Sequence, residues 1–130
     1  MIDRKHRFHG YGSLRYVYSH GLQVRSLYLS LKYNLNPKRT VFRSAVVVSR
    51  KVDKSAVARN RIRRRLYEAI RVNQSKIDKP YDLVFTVFSP QIESLDHKEL
   101  QSIVDKLLIE SEVIQAPSKK DHDMIIKKDK

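Results

Sequence analysis

The stretch SAVARNRIRRRLYEAIR, residues 55–71, carries six arginines. It also reads as a helix with one apolar face. Ala58, Ile62, Leu66, Ala69 and Ile70 fall on a single stripe at helical spacing. At about 100° per residue, Asn60, Arg64, Tyr67 and Arg71 project roughly opposite that stripe. Arg61 and Arg63 lie on the flanks. Arg59 and Arg65 lie at the stripe's edges, where their stems can cover apolar surface while the heads extend. Ser55 or Asp53 is placed to cap the helix. The stripe requires a core to dock on. The arginines require something more, because like charges at i,i+4 weaken a helix and Glu68 is the one acid in the stretch. A partner outside the chain should supply the missing negative charge.

The elements around this helix follow from periodicity. VFRSAVVVS (residues 41–49) reads as a strand leading into it. VRSLYLSLKY (residues 24–33) alternates, with Leu27, Leu29, Leu31 and Tyr33 facing one way and Tyr28, Ser30 and Lys32 the other. NLNPKR separates the two runs, so an antiparallel hairpin is expected. LVFTVF (residues 83–88) is apolar on both faces, as a covered inner strand is, and Phe85 and Phe88 read as core. GSLRYVYSHG (residues 12–21) predicts a short helix, with Ser13 at its start, Gly21 at its end, and Leu14, Val17 and Tyr18 on one face. In the last helix Asp96 and Glu99 fit a capping box. Leu100, Ile103, Val104, Leu107 and Leu108 form its core stripe. The order is helix, two or three strands, basic helix, strand, helix: an α+β sandwich with one antiparallel sheet and helices against it. Residues 1–10 read as an extended basic arm, 11–115 as the domain, and 116–130 as a disordered polar tail.

Charge narrows the function. The 130 residues suit one domain, and the net charge is +13. Residues 1–37 carry +5, residues 38–71 carry +10 and residues 72–130 carry −2. Clustering of this kind marks a contact surface for an acidic partner. No apolar run approaches the roughly 18 residues of a membrane span, and MIDRKHRFHG lacks the apolar core of a signal peptide. A cytoplasmic protein with no membrane association is expected. With no cysteine, disulfides and thiolate metal sites are excluded. His6, His9, His20 and His97 read as surface or capping residues, and no spacing picks out the His pair or His–Glu pair that an acid–base ribonuclease needs. Arg matches phosphate bidentately and stacks on bases, and Asn60 adds an amide beside it. RNA binding is the reading these features share.

ARNRIRRRLYEAIR, preceded by VVVSRKVDKSAV, resembles the signature of the bacterial ribonuclease P protein subunit. The matching residues are Val48, Ser49, Arg50 and Lys51, then Arg59, Asn60 and Arg61, with Arg7–Phe8 and LRYVYSHG resembling the N-terminal segment. The resemblance runs over roughly residues 7–113. It implies a two-layer α-β sandwich in αβββαβα order, like the second domain of the fifth protein of the small ribosomal subunit. It also implies a left-handed βαβ crossover, against the usual rule. It implies an RNA-binding subunit that assists removal of the 5′ leader from precursor tRNA. The alternative is a general RNA-binding or ribosome-associated protein on a related fold. The partners implied are the ribonuclease P RNA and the precursor tRNA, with no obligate protein partner. The RNA performs the hydrolysis with Mg²⁺ that it mainly binds itself, so no catalytic or metal residue is expected in this chain. Carried over, Arg50, Lys51, Lys54, Arg59, Asn60, Arg61, Arg63, Arg64 and Arg65 face the catalytic RNA. Arg7, Tyr18, Arg25, Tyr28, Ser30 and Lys32 line a leader cleft between the first helix and the sheet. Two departures stand out: Leu14 where the family often has Phe, and no glycine in residues 53–57.

Overall fold

The computed structural model describes residues 4–8 and 12–115, the side chain of Ser13 excepted. Residues 1–3 and 9–10 of the expected arm, His9 among them, the Ser13 cap and the tail 116–130 thus lie outside the described residues. In chain order the elements are α1 (Gly12–His20), β1 (Leu22–Arg25), β2 (Leu29–Leu35), β3 (Arg43–Val48), α2 (Ala56–Val72), β4 (Tyr81–Val87) and α3 (His97–Glu110). Short 3-10 turns occupy Arg4–His6, Gln74–Lys76 and Pro90–Ser94. This is an α+β fold in the expected αβββαβα order.

The strand pairing differs from expectation. The sheet order is β1-β2-β4-β3. β2 runs antiparallel to β1 and to β4, whereas β3 lies parallel to β4. The expected hairpin between β2 and β3 does not form, and the sheet is mixed. The intervening turn is tied to β4 instead: the Asn36 N–H donates to Pro80 O at 2.9 Å, and Asn36 Nδ2 donates to Asp82 Oδ2 at 3.0 Å. β4 is apolar on both faces, so the inner position between β2 and β3 is the one that buries it. β3, α2 and β4 then form a parallel βαβ unit.

The strand expected over residues 24–33 divides in two. Ser26 Oγ donates to Leu29 O at 2.9 Å and accepts from the N–H groups of Tyr28 and Leu29. This side-chain turn competes with the ladder and leaves Leu27 80% exposed.

Alternation divides the sheet into two unlike faces. Leu29 and Leu31, Leu83, Phe85 and Val87, and Val46 and Val48 meet Ile62, Leu66 and Ile70 of α2 and Leu100, Val104, Leu107 and Leu108 of α3 in the main core. α1 packs on the reverse face, against β2 and β4, where Val17 and Val84 are fully buried. Gly21 ends α1 because nothing larger fits: a Cβ there would lie 2.6 Å from Val17 O and 3.0 Å from Tyr33 O.

Residues 4–8 are docked rather than extended. Arg7 bridges Ser44 along the outer edge of β3. His6 is buried, contrary to its reading as a surface residue. Its ring stacks on Phe42 at 4.1 Å, its Nδ1–H donates to Phe42 O at 2.9 Å, and Ser44 Oγ donates to His6 O at 3.3 Å. The open edge of β3 and the Phe42 ring give the segment its partners.

The two parallel strands start in register at Arg43 and Asp82, which form a bidentate pair. Arg43 Nε donates to Oδ1 at 3.0 Å and Nη2 to Oδ2 at 2.9 Å, with side chains 3% and 2% exposed. The guanidinium sits 4.6 Å from the centre of the Phe8 ring. Removing one partner of such a pair strands a buried charge. Asp82→Ala should therefore cost about 3–5 kcal/mol, read from the urea midpoint, and Arg43→Met with Asp82→Leu should recover most of it. A cost below about 1 kcal/mol for Asp82→Ala would show that the fold does not depend on the pair.

Candidate nucleic-acid interface

α2 forms as the sequence predicts, except that Tyr67, expected opposite the stripe, packs against the core and accepts from Val46 N at 3.2 Å. Ser55 is the N-cap, its Oγ accepting from Ala58 N at 3.2 Å, and Asp53 Oδ1 accepts from Ser55 N at 2.9 Å. All five residues of the expected stripe are buried. At the other end Asn73 Nδ2 and Gln101 Nε2 both donate to Asp105 Oδ1 and to Ala69 O, a polar clasp between α2 and α3.

The arginines then divide by task. Arg59 Nη1 donates to Asp53 O at 2.9 Å and Lys54 O at 3.1 Å, holding the loop ahead of the helix. Arg65 donates to Leu95 O at 2.6 Å, Glu93 O at 3.2 Å and Ile92 O at 3.5 Å, fixing the turn at Pro90–Ser94. Arg63 donates to Asn60 Oδ1. Arg61 pairs with Glu93 at 2.9 Å across an exposed surface. Arg71 pairs with Glu68 at 3.0 Å, and this contact holds the Glu68 carboxyl well down, to about 2. Glu68 thus stays ionised throughout the neutral range. Arg64 is exposed with no partner among the described residues. Arg50, Lys51, Lys54, Asn60 and Arg61 are exposed as well, whereas Arg59, Arg63 and Arg65 are half-buried. The outward field is therefore Asn60, Arg61 and Arg64, with Arg50, Lys51 and Lys54 on the preceding loop. Arg59 and Arg65 chiefly staple the chain.

The reverse face carries a second arrangement. The Tyr18 hydroxyl lies 3.4 Å from Thr86 Oγ1, and Lys32 Nζ donates to Tyr18 O at 3.0 Å while sitting 5.2 Å from the Tyr18 ring centre. Ser30, between Arg25 and Thr86 in the sheet register, is buried. Arg25 stands over Phe88, its guanidinium carbon 4.5 Å from the ring centre. Tyr18, Arg25, Ser30 and Lys32 are thus brought together as expected. Tyr28 is not: the Ser26 turn takes it out of the alternation, it packs against the main core, and together with Arg25 it lines a groove beside Ile103, Lys106, Leu107 and Glu110 of α3. Arg7 also departs, toward α2. Burial pushes the Tyr67 hydroxyl up, opposed by its bond from Val46 N and by the charges of Arg7 and Arg63, both close enough to act on it. Sequence reading missed Phe88, which is 40% exposed, and Phe8. The parity of Thr86 and Phe88 in TVFS was the signal for the first.

Among the described residues no helix is long and apolar enough to cross a membrane. No three of their His, Asp or Glu side chains group so as to hold a metal ion.

A family model described as Ribonuclease P matches residues 2–112. A ribonuclease P protein component of Chloroflexus aurantiacus is 37% identical over 81 residues, 62% of this chain and 59% of that protein. The match thus spans about three fifths of that relative's length. A ribonuclease P protein component of a Pseudanabaena species is 31% identical over 114 residues, 88% of this chain and 97% of that protein. Among solved structures, the RNase P protein of Staphylococcus aureus superposes with a TM-score of 0.76 at 22% identity, covering 85% of this chain and 98% of that one. The RNase P protein of Thermotoga maritima gives 0.70 at 23% identity, covering 78% and 94%. At those identities the structural likeness speaks for the fold.

The stapling role of Arg65 is testable without any ligand. Arg65→Ala should cost about 2 kcal/mol, from the loss of charged hydrogen bonds, and speed amide exchange around residues 90–95. Arg65→Lys should not restore protection, because one ammonium cannot span carbonyls that a planar fork reaches. Unchanged exchange in Arg65→Ala would remove the staple.

Proposed function

This chain belongs to the ribonuclease P protein family, and we propose that it acts as the RNA-binding protein subunit of ribonuclease P, assisting removal of the 5′ leader from precursor tRNA. The observation that carries this is the outward field of α2. Asn60, Arg61 and Arg64 are exposed on α2 and Arg50, Lys51 and Lys54 on the loop that leads into it, and Asp53, Glu68 and Glu93 offset only part of the charge. Guanidinium forks held on a rigid helix suit the phosphates of a folded RNA. In this reading the catalytic RNA lies along α2 and performs the hydrolysis. The protein contributes no reacting group.

The reverse face takes the leader. An extended single strand is held by stacking on aromatics and by cations along its backbone. Tyr18 offers the ring, already braced by Thr86 and Lys32. Lys32 and Arg25 offer the cations. Precursor and mature tRNA differ by the leader, so a leader-binding face raises affinity for the precursor alone. This role places the protein in the cytoplasm with the ribonuclease P RNA and precursor tRNA as partners. The resident Mg²⁺ belongs to the RNA.

Reconstitution with a bacterial ribonuclease P RNA, at low Mg²⁺ and near-physiological salt, tests the whole reading. The protein should restore precursor cleavage that the RNA alone does not sustain, and RNA-free protein should cleave nothing. Arg61→Ala with Arg64→Ala should abolish the stimulation and flatten the salt dependence of RNA binding by about 0.7–0.9 per lost phosphate contact. Tyr18→Ala should weaken precursor binding about tenfold, one stacked base, and leave mature tRNA unchanged. Tight RNA binding without restored processing would make α2 a general RNA grip, the function of a ribosome-associated or other RNA-binding protein.

A further inference from the structure

We propose that Phe88, with the Arg25 guanidinium over it, forms a second base-stacking subsite that lengthens the single-strand face by one nucleotide beyond Tyr18; this rests on the leader reading above.

Phe88 directly follows the innermost strand, yet it is 40% exposed. Packing does not call for it there, since Leu83, Phe85 and Val87 already fill the main core from the opposite face. Phe88 follows β4 by one residue at the parity of Thr86, and the Arg25 guanidinium over its ring ties it to the row of Ser30 and Thr86. Thr86 is the residue braced against the Tyr18 hydroxyl. Two residues of strand separate the two positions by about 6.6 Å, the reach of one extended nucleotide. Arg25 belongs to the same row and face: it pairs with Ser30, which pairs with Thr86, while Val24 turns to the main core. The guanidinium carbon lies 4.5 Å from the Phe88 ring centre, and Arg25 has no carboxylate partner among the described residues.

The face thus repeats one unit. Tyr18 carries Lys32 at 5.2 Å, and Phe88 carries Arg25 at 4.5 Å. Each unit offers a π-face to a base and a cation to the next phosphate. The phenyl ring has no hydrogen-bonding group, so it cannot select among bases. The occupant that fits is a single-stranded RNA of any sequence, and the subsite reads the length of the leader rather than its identity. A base can enter between the Phe88 ring and the Arg25 guanidinium, whose planar fork then leaves the ring to stack on the far side of that base.

The test uses the reconstituted ribonucleoprotein and precursor tRNAs whose leaders lengthen one nucleotide at a time, with 2-aminopurine at successive leader positions. Phe88→Ala and Phe88→Leu should bind long-leader precursor about tenfold more weakly and short-leader precursor as the unsubstituted protein does. The loss should begin one nucleotide later than the loss from Tyr18→Ala. Phe88→Trp should keep full affinity and quench the 2-aminopurine at that later position. If Phe88→Leu binds every leader normally while Tyr18→Ala still discriminates, the subsite is wrong and the leader face stands. If neither substitution discriminates by leader length, the leader face fails and the subsite with it. A loss equal at all lengths, or a Phe88→Leu protein that melts early, would assign Phe88 to structure and overturn the proposal.

Discussion

β4 is covered on both faces and paired along both edges, and the placement of every other element follows from that burial. Its alternation sends Leu83, Phe85 and Val87 to α2 and α3, and Asp82, Val84 and Thr86 to the side that α1 covers. Its antiparallel neighbour β2 brings Ser30 and Lys32 to the second face. Its parallel neighbour β3 cannot be reached by a tight turn, because parallel strands need a crossover of a dozen or more residues. That crossover is the arginine helix. Its position against the sheet is thus a consequence of strand order. The Arg43–Asp82 pair sets where the parallel strands begin. Such a pair adds little net stability, but a slipped register would leave two buried charges without partners.

The helix handles its own repulsion in two physically different ways. Backbone carbonyls receive Arg59 and Arg65. A carbonyl satisfies the donors and leaves the positive charge in place, so these contacts fix geometry while preserving the field. Carboxylates receive Arg61 and Arg71. Exposed pairs of that kind add little stability, so a phosphate can displace Glu93 from Arg61 at small cost. The half-buried Arg65 contacts are harder to exchange, because three carbonyls would lose their donor together. The result is a surface whose charge is retained and whose most exposed members, Arg61 and Arg64, are the ones best able to change partners.

Local patterns in this chain were legible, and long-range pairings were not. The five buried residues of α2, the Ser55 cap and the Asp96–Glu99 box follow from spacing alone, since a helix satisfies its backbone within a few residues. The neighbour of β3 does not follow, because strands 24–33 and 41–49 look equally able to pair with each other or with 83–88. What decides is the double-sided burial of β4, a property of the whole sheet. Ser26 shows the same limit at short range. In an alternating run a serine reads as the polar phase, and its ability to bond its own backbone is silent until the chain bends. Tyr28 is displaced for that reason. Arg43 and His6 were hidden by a different effect: ionisable residues read as surface, and only the juxtaposition of Asp82, Phe42 and the arm makes their burial tolerable. Among the interface residues, Tyr18, Ser30 and Lys32 lie together as the helix and strand spacing put them, whereas Arg59 and Arg65 turn from the outward field to backbone carbonyls. Tyr28 and Arg7, at a turn and an edge, lie away from their expected places.

The outer edge of β3 is where the two candidate surfaces meet. An open edge exposes unpaired N–H and C=O groups, and here the segment around Arg7 covers part of it while the Tyr67 hydroxyl takes the N–H of Val46. Successive residues of an extended segment point to opposite sides. Arg7 accordingly lies near Tyr67 and Arg63 on the α2 side, and Phe8 lies under Arg43 on the side of the reverse face. One docked segment therefore contributes a cation to one surface and an aromatic ring to the other. A free basic arm would add charge without geometry. Anchored through His6, the same residues become fixed parts of both candidate surfaces, whose relative placement is set from one edge of one sheet.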